Sequence, residues 1–238
     1  VKGGRYLVPI TTKQILQVEH WVNLWACNLI GALEIVQELR RLKLFGMALR
    51  SRSLNPWKIS ARNVGVGEGC YVHPTAYLKN ARIGDGDEVG AGTVIRGCVI
   101  GDDAVIANNV NLSYSVVGDG CNIRNGARVQ HSVFYPRAFV SCSFLNCSFT
   151  GRDAFIGDGA TLTDFRFDGE NVKVSRDGKT VDTGSAFIGS CIGHRSYVGS
   201  GVIVSPGREI PNDTRIALGK GRILSKIPTK GDFTIIES

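Results

Sequence analysis

Proline is scarce in this 238-residue chain, 7 residues against 30 glycines. The glycine share is near twice the ~7% of average usage, yet no Gly-X-Y period runs through it, so a collagen-like chain is excluded. Many glycines with few prolines suggest many tight corners in a regular object. No Cys-x-x-Cys occurs, and the seven cysteines (27, 70, 98, 121, 142, 147, 191) are odd in number. Neither a zinc site nor a disulfide framework is suggested; reduced, mostly buried thiols are expected. Long apolar runs are also missing. The most apolar stretch, Trp21 to Val36, is interrupted by Asn23, Asn28 and Glu34, too short and too polar to span a bilayer. No secretory signal pattern is visible, so a cytoplasmic location is the expectation. Apolar content of 43% and charged content of 21% exclude a disordered chain.

Acidic side chains are few at the N-terminal end. The net charge is +7, and residues 1–62 carry the whole excess, with ten basic and three acidic side chains. Seven basic residues lie between Arg40 and Arg62 with no acid among them. Such a cluster suits a polyanion or an acidic partner, but it also reads as a solvated helix face followed by a linker, and with only Phe45 and Trp57 inside it lacks the regular aromatic interleaving of a single-strand binder.

Residues 11–50 read as helix. Thr11 with Gln14 forms a capping-box pattern, and Ile15, Val18, Val22, Trp25 and Leu29 recur at helical spacing. Gly31 is expected to divide this helix from a second, and Ser51 to Trp57 reads as a linker. The pattern then changes. Written from Ala81 in lines of seventeen, the chain aligns Ile83, Ile100, Val117 and Phe134 in one column. Val89, Ile106, Ile123 and Val140 fall in a second, and Ile95, Leu112, Val129 and Asn146 in a third. Gly84, Gly101 and Gly118 follow the first column directly. An apolar residue every six, six and five positions is the hexapeptide pattern of a parallel β-helix with three flat sides. The spacing returns at Ile192, Val198, Val204, Ile210 and Ile216. Between Phe165 and Ala186 it breaks. That segment, with Val172, Val174 and an Asp177-Gly178 turn signal, reads as an extruded loop or hairpin. Beyond Ile216 the chain is expected to leave the coil and to end in a short apolar tail, Phe233 to Ile236. The expected organisation is a helical segment and linker over 1–55, an all-β coil over 56–228 with the loop at 166–185, and a tail over 229–238.

Three stretches resemble the hexapeptide-repeat transferase superfamily, and within it the C-terminal domains of sugar-1-phosphate nucleotidylyltransferases, including bifunctional ones that also acetylate an amino sugar. They are HPTAYLKNARIGDG at His73 to Gly86, FRFDGENVKV at Phe165 to Val174 with GKTVDTG at Gly178 to Gly184, and IGHRSYVGSGVIVSPG at Ile192 to Gly207. More weakly, YLVPITTKQIL near the N-terminus resembles the connector after a nucleotidylyltransferase core. The resemblance implies a left-handed coil, a homotrimer and, in the active relatives, acetyl-CoA or another acyl-CoA as donor. It also implies a nucleotidylyltransferase core or a nucleotide sugar as partner. The core itself is absent: Gly65, Gly67 and Gly69 fall inside the coil as corners, and no Gly-rich phosphate loop opens a strand–helix unit.

Amide formation from a thioester needs a general base and a donor to the oxyanion. The resembled bifunctional segment carries His-x-x-Tyr, an Asn and two Lys. Aligned without a gap, these fall on Ser141, Phe144, Asp164, Glu170 and Lys173, so only the second Lys is kept. The inherited acetylation site is therefore expected to be lost. A relocated base would be His194, just after the loop and near Tyr197, although a lone corner His more often is a surface residue. Ser141, Asp164, Lys173 and Tyr197 are the candidate ligand contacts. Asp164, Asp168, Glu170 and Asp182 surround the loop and could hold a metal or a basic ligand; ordinary loop solvation is the simpler reading. Gamma-type carbonic anhydrases share the fold and hold zinc with three His, but His20, His73, His131 and His194 have no coil-related spacing, and no metal is expected. Three functions follow as expectations: a trimerising, ligand-sensing scaffold; an acyl-CoA-dependent acyltransferase acting on an amino sugar or nucleotide sugar; or a polyanion binder using the Arg40–Arg62 cluster.

Overall fold

The computed structural model describes residues 18–51, 63–141, 144–218, 223–224 and 234–236. Short strands, mostly of two or three residues, recur on each side of the described turns, because one inward apolar side chain per side is all a six-residue repeat supplies. The strands stack in parallel into three long sheets. The first runs from Val64–Val66 to Glu209–Ile210, the second from Tyr71–Val72 to Thr234–Ile236, and the third from Tyr77–Lys79 to Ile223–Leu224. The register follows the sequence columns: Ile100 pairs with Val117, Val117 with Phe134, and Ile106 with Ile123. Ile83, Ile100, Val117 and Phe134 are each at most 2% exposed, so they form a dry interior file.

The third column slips once. Val129 pairs with Leu145, and Asn146 aligns with Gln130 instead. The fourth turn is one residue short, so Leu145 takes the inward slot and is fully buried. Alignment by a fixed seventeen could not register this, since each side closes on its own hydrogen bonds rather than on a constant count.

Corners impose the glycines in two ways. Gly84 is needed for space: a Cβ there would lie 2.3 Å from the Gly101 carbonyl oxygen of the next turn. The left-handed corner slots tolerate side chains, and Asp103, Tyr114, His131, Arg137 and Arg195 all take positive φ. Asx side chains then tie one turn to the next. Asp85 Oδ1 accepts the Glu68 N–H at 2.7 Å, Asp102 Oδ1 that of Asp85 at 2.9 Å, and Asp119 Oδ1 that of Asp102 at 3.0 Å.

Among the described residues one helix, Trp21–Ser51, lies along the first sheet and touches the strands Val99–Ile100, Val116–Val117 and Val133–Phe134. It begins ten residues later than the sequence suggested. Residues 18–20 are not helical, Val18 is half exposed, and the His20 carbonyl accepts the first amide bonds, from Asn23 and Leu24. The Thr11–Gln14 pattern and Ile15 lie outside the described residues. The helix also runs straight through Gly31. A mid-helix glycine costs only about 1 kcal/mol, and the missing side chain leaves a hollow between Cys27, Gly31, Ala32, Val99 and Val116. Buried Ala32 and Val36 hold the helix on both sides of that point.

Beyond Ile216, where the sequence suggested a departure from the coil, the residues that are described still pair with it. Ile223–Leu224 pairs with Ile203–Val204 on the third sheet, and Thr234–Ile236 pairs with residues 216–218 on the second. Six of the cysteines are described, all as free thiols; Cys98, Cys121, Cys147 and Cys191 are buried. Burial pushes the Cys121 thiol up to about 11 and that of Cys98 to about 12. Cys142 lies outside the described residues, as does residue 52–62; of the Arg40–Arg62 cluster no side chain is described.

Candidate ligand cleft

The extruded segment leaves the third sheet after Thr163 and returns to the first at Ser190. Its neck is closed by an antiparallel bridge between Phe165 and Phe187, whose rings stack with centroids 5.3 Å apart, and by the Ile188 N–H donating to the Asp164 carbonyl at 3.0 Å. Beyond the neck, Lys173–Arg176 and Lys179–Asp182 form a two-stranded hairpin. Asp177 and Gly178 both have positive φ, as a two-residue hairpin turn of this hand requires.

The hairpin stands off the third sheet, and the gap is a cleft of roughly 930 Å³. Thr161, Thr163, Ile203 and Ser205 form its floor, and Lys173, Ser175 and Thr180 its outer wall. Phe165, Arg166, Phe167 and Asp168 close one end, and Pro206 and Arg208 line it as well. Phe167 is fully exposed. Arg166 and Asp168 form a two-pronged ion pair, with Nε to Oδ1 at 2.9 Å and a second, shorter bond between Nη2 and Oδ2. The Arg166 guanidinium holds the Asp168 carboxyl down to about 2. Asp168, the acid of the lining, is thereby neutralised in place, and the cleft keeps a cationic balance through Lys173 and Arg208.

Gly207 sets how closely the hairpin approaches. Its φ is +71°, and a Cβ there would lie 2.4 Å from the Lys173 carbonyl oxygen and 2.7 Å from Val172 Cγ1.

Of the residues singled out from sequence, Lys173 lines the cleft and Asp164 stands at the neck of the same loop. There Asp164 adds to burial in pushing the Cys147 thiol up to about 12. The others are elsewhere. Ser141 follows the strand Phe139–Val140 of the second sheet, its N–H donating to the Ile156 carbonyl at 2.8 Å. Tyr197 is on the outer side of that sheet, stacked on Phe155 at 5.8 Å with the Arg215 guanidinium 5.0 Å over its ring. His194 is at a corner between the first and second sheets. Its Nδ1 accepts the Arg152 N–H at 2.8 Å, and its own N–H donates to Asn212 Oδ1 at 2.7 Å. These are the rungs that Asp85, Asp102 and Asp119 make in earlier turns. With Nδ1 occupied as an acceptor, neutral His194 carries its proton on Nε2, a donor with no lone pair to offer as a base. Sequence reasoning passed over Phe165, Phe167, Arg166 and Arg208. The aromatic alternation in FRFDG is the signal for the first two; nothing local marks Arg208, which reaches the cleft only because the coil folds back under the loop.

No protein-family model and no curated protein matches the sequence. Among solved structures, GDP-perosamine N-acetyltransferase from Caulobacter crescentus, a variant in complex with CoA and GDP-perosamine, aligns at 18% identity and a TM-score of 0.31, covering 41% of this chain and 48% of that one. UDP-N-acetylglucosamine acyltransferase from Francisella novicida aligns at 14% identity and 0.34, covering 69% and 62%. The polysialic acid O-acetyltransferase OatWY aligns at 14% and 0.28, covering 72% and 83%. The alignments thus span about half and three fifths of the first two enzymes. These similar structures are acyl- and acetyltransferases. On its own repeat and strand register, this chain is a hexapeptide-repeat parallel β-solenoid with a helix along one side and a hairpin thrown out from a corner.

Proposed function

We propose that the cleft binds a phosphate-bearing ligand of the nucleotide-sugar or acyl-CoA class. The observation that carries this reading is the lining itself. Lys173 and Arg208 offer positive charge for phosphate, Phe165 and Phe167 offer ring surface, and Thr161, Thr163, Ser175, Thr180 and Ser205 offer hydroxyls as hydrogen-bond partners for a sugar. Arg166, fixed by Asp168, keeps donors in a set orientation. Calorimetric titration with UDP-N-acetylglucosamine and with coenzyme A tests it. Binding of either probe that weakens about tenfold in Arg208→Ala, and again in Lys173→Ala, supports the reading; no uptake of either probe overturns it.

Acyl transfer from an acyl-CoA to an amino sugar or nucleotide sugar is the second reading. It is favoured by the size of the cleft, larger than a lone sugar needs. Among the described residues no imidazole lines the cleft, so transfer requires a base from beyond it. Acetyl-CoA turnover with an amino-sugar phosphate would establish transfer; binding without turnover leaves a sensing scaffold. As further parts of the proposal, the coil is left-handed and the protein a homotrimer related to the C-terminal parts of sugar nucleotidylyltransferases. Sedimentation equilibrium at three times the 25.7 kDa chain mass checks the assembly. The Arg40–Arg62 cluster is tested separately, by heparin binding that falls steeply with salt.

A further inference from the structure

The hairpin that walls the cleft cannot hold its own position. A lone two-stranded hairpin is marginal in water, and Lys179–Asp182 is exposed along its whole length, Val181 included. Only Val172 and Val174 are buried in this part of the loop. The root is tied down locally. The Val172 N–H donates to the Ser185 carbonyl at 2.8 Å, and Thr183 Oγ1 donates to the Val172 carbonyl at 2.7 Å.

The tip is held by a distant part of the chain. His20 Nε2 lies 3.1 Å from the Ser175 carbonyl oxygen, 155 residues away in sequence, and the Glu19 carboxylate lies 2.5 Å from the Arg176 guanidinium. Trp21 is 8% exposed and sits in one apolar cluster with Val172, Val174, Val133 and Phe149. His20 Nδ1 accepts the Val22 N–H at 3.4 Å, which leaves the ring proton on Nε2, facing Ser175. Glu209, at 4.0 Å from the same Nε2, reinforces that polarity. The contributions differ in weight. The Glu19–Arg176 pair is exposed on both sides and adds little; burial of the Trp21 ring does most, and the His20 bond, itself exposed, fixes the direction of the tip.

We infer that His20 and Trp21 are positioning residues for the cleft: the start of the helix is a strut that sets the hairpin at its distance from the third sheet. The consequence for affinity rests on the binding reading above; the structural part does not. By linkage, a ligand spanning hairpin and sheet must also steady the strut.

Hydrogen exchange across residues 173–182, measured beside titration with UDP-N-acetylglucosamine, tests this in the full chain. His20→Ala should raise hairpin exchange roughly tenfold, the equivalent of one lost hydrogen bond, and weaken the probe by a like factor while exchange in the coil interior stays unchanged. His20→Gln, which keeps a donor toward Ser175, should restore most of both, and Trp21→Ala should exceed His20→Ala. Wild-type exchange in both alanine variants overturns the strut. If the wild type takes up no probe but hairpin exchange still responds, the binding reading fails and the strut stands.

Discussion

At the scale of single residues, Asp87 departs most from its repeat. By the seventeen-residue count it takes the inward slot of Cys70 and Cys121, whose thiols lie against the carbonyls of Gly84 and Tyr135 at 3.0 and 3.2 Å. Asp87 Oδ1 accepts the Ala104 N–H at 2.6 Å, but its buried Oδ2 has no partner, and the repeat sets the Gly101 carbonyl opposite it. Burial first, and the nearby Asp102 and Asp103 after it, raise the carboxyl to about 6, against the amide hydrogen bonds, which favour the charged form. A raised carboxyl is protonated in the fold over a range where the unfolded chain has already ionised. Stability therefore falls as pH rises from about 4 to about 6, and stays lower above. Asp87→Asn keeps the acceptor and supplies a donor. It should add about 1–2 kcal/mol at pH 7.5 and clearly less at pH 5, read by urea unfolding at both values. Thr150 makes a parallel case. It pairs with Phe134 and Ile192 in the first interior file, and its Oγ1 is buried without a partner. Thr150→Val should be stabilising by about 1 kcal/mol in the same assay.

At the scale of elements, the corner ladder and the hairpin behave differently. A ladder rung needs only an acceptor of the right reach, so His194→Asn should leave the melting temperature within a few degrees of wild type. His194→Ala, which strands the Arg152 N–H, should cost about 1 kcal/mol. The hairpin depends on contact geometry at Gly207. Gly207→Ala places a methyl group against the Lys173 carbonyl and in a φ that L residues avoid. It should displace the outer wall and reduce ligand uptake at least tenfold, with the coil's far-ultraviolet dichroism unchanged.

Over the whole molecule, each turn buries its apolar residues only against the turns above and below, so stability is spread along the axis. Leu112, fully buried between Ile95 and Val129 in the third file, tests this: Leu112→Ala should cost 2–5 kcal/mol and unfold the neighbouring turns with it, seen as faster exchange from Ile95 to Val129. No helix among the described residues is long and apolar enough to cross a membrane. The helix Trp21–Ser51 instead covers part of the first sheet.

What the sequence determined by itself was the coil. The six-six-five spacing of Ile83, Val89 and Ile95 and their successors dictates which side chains face inward, because a flat strand of two residues has only one inward position. The Asp177-Gly178 turn was legible for the same reason: its backbone angles are a property of the two residues alone. Tertiary structure decided the rest. Leu145 displaced Asn146 because sheet hydrogen bonds, not residue count, set the register. The helix ran through Gly31 because its neighbours were buried against the first sheet. His194 became a rung because the turn before it presented an amide to its ring. The cleft exists because Lys173 and Arg208, far apart in the chain, are brought to line one space by a hairpin whose tip meets His20; no local pattern encodes a meeting of segments that only the folded coil makes neighbours.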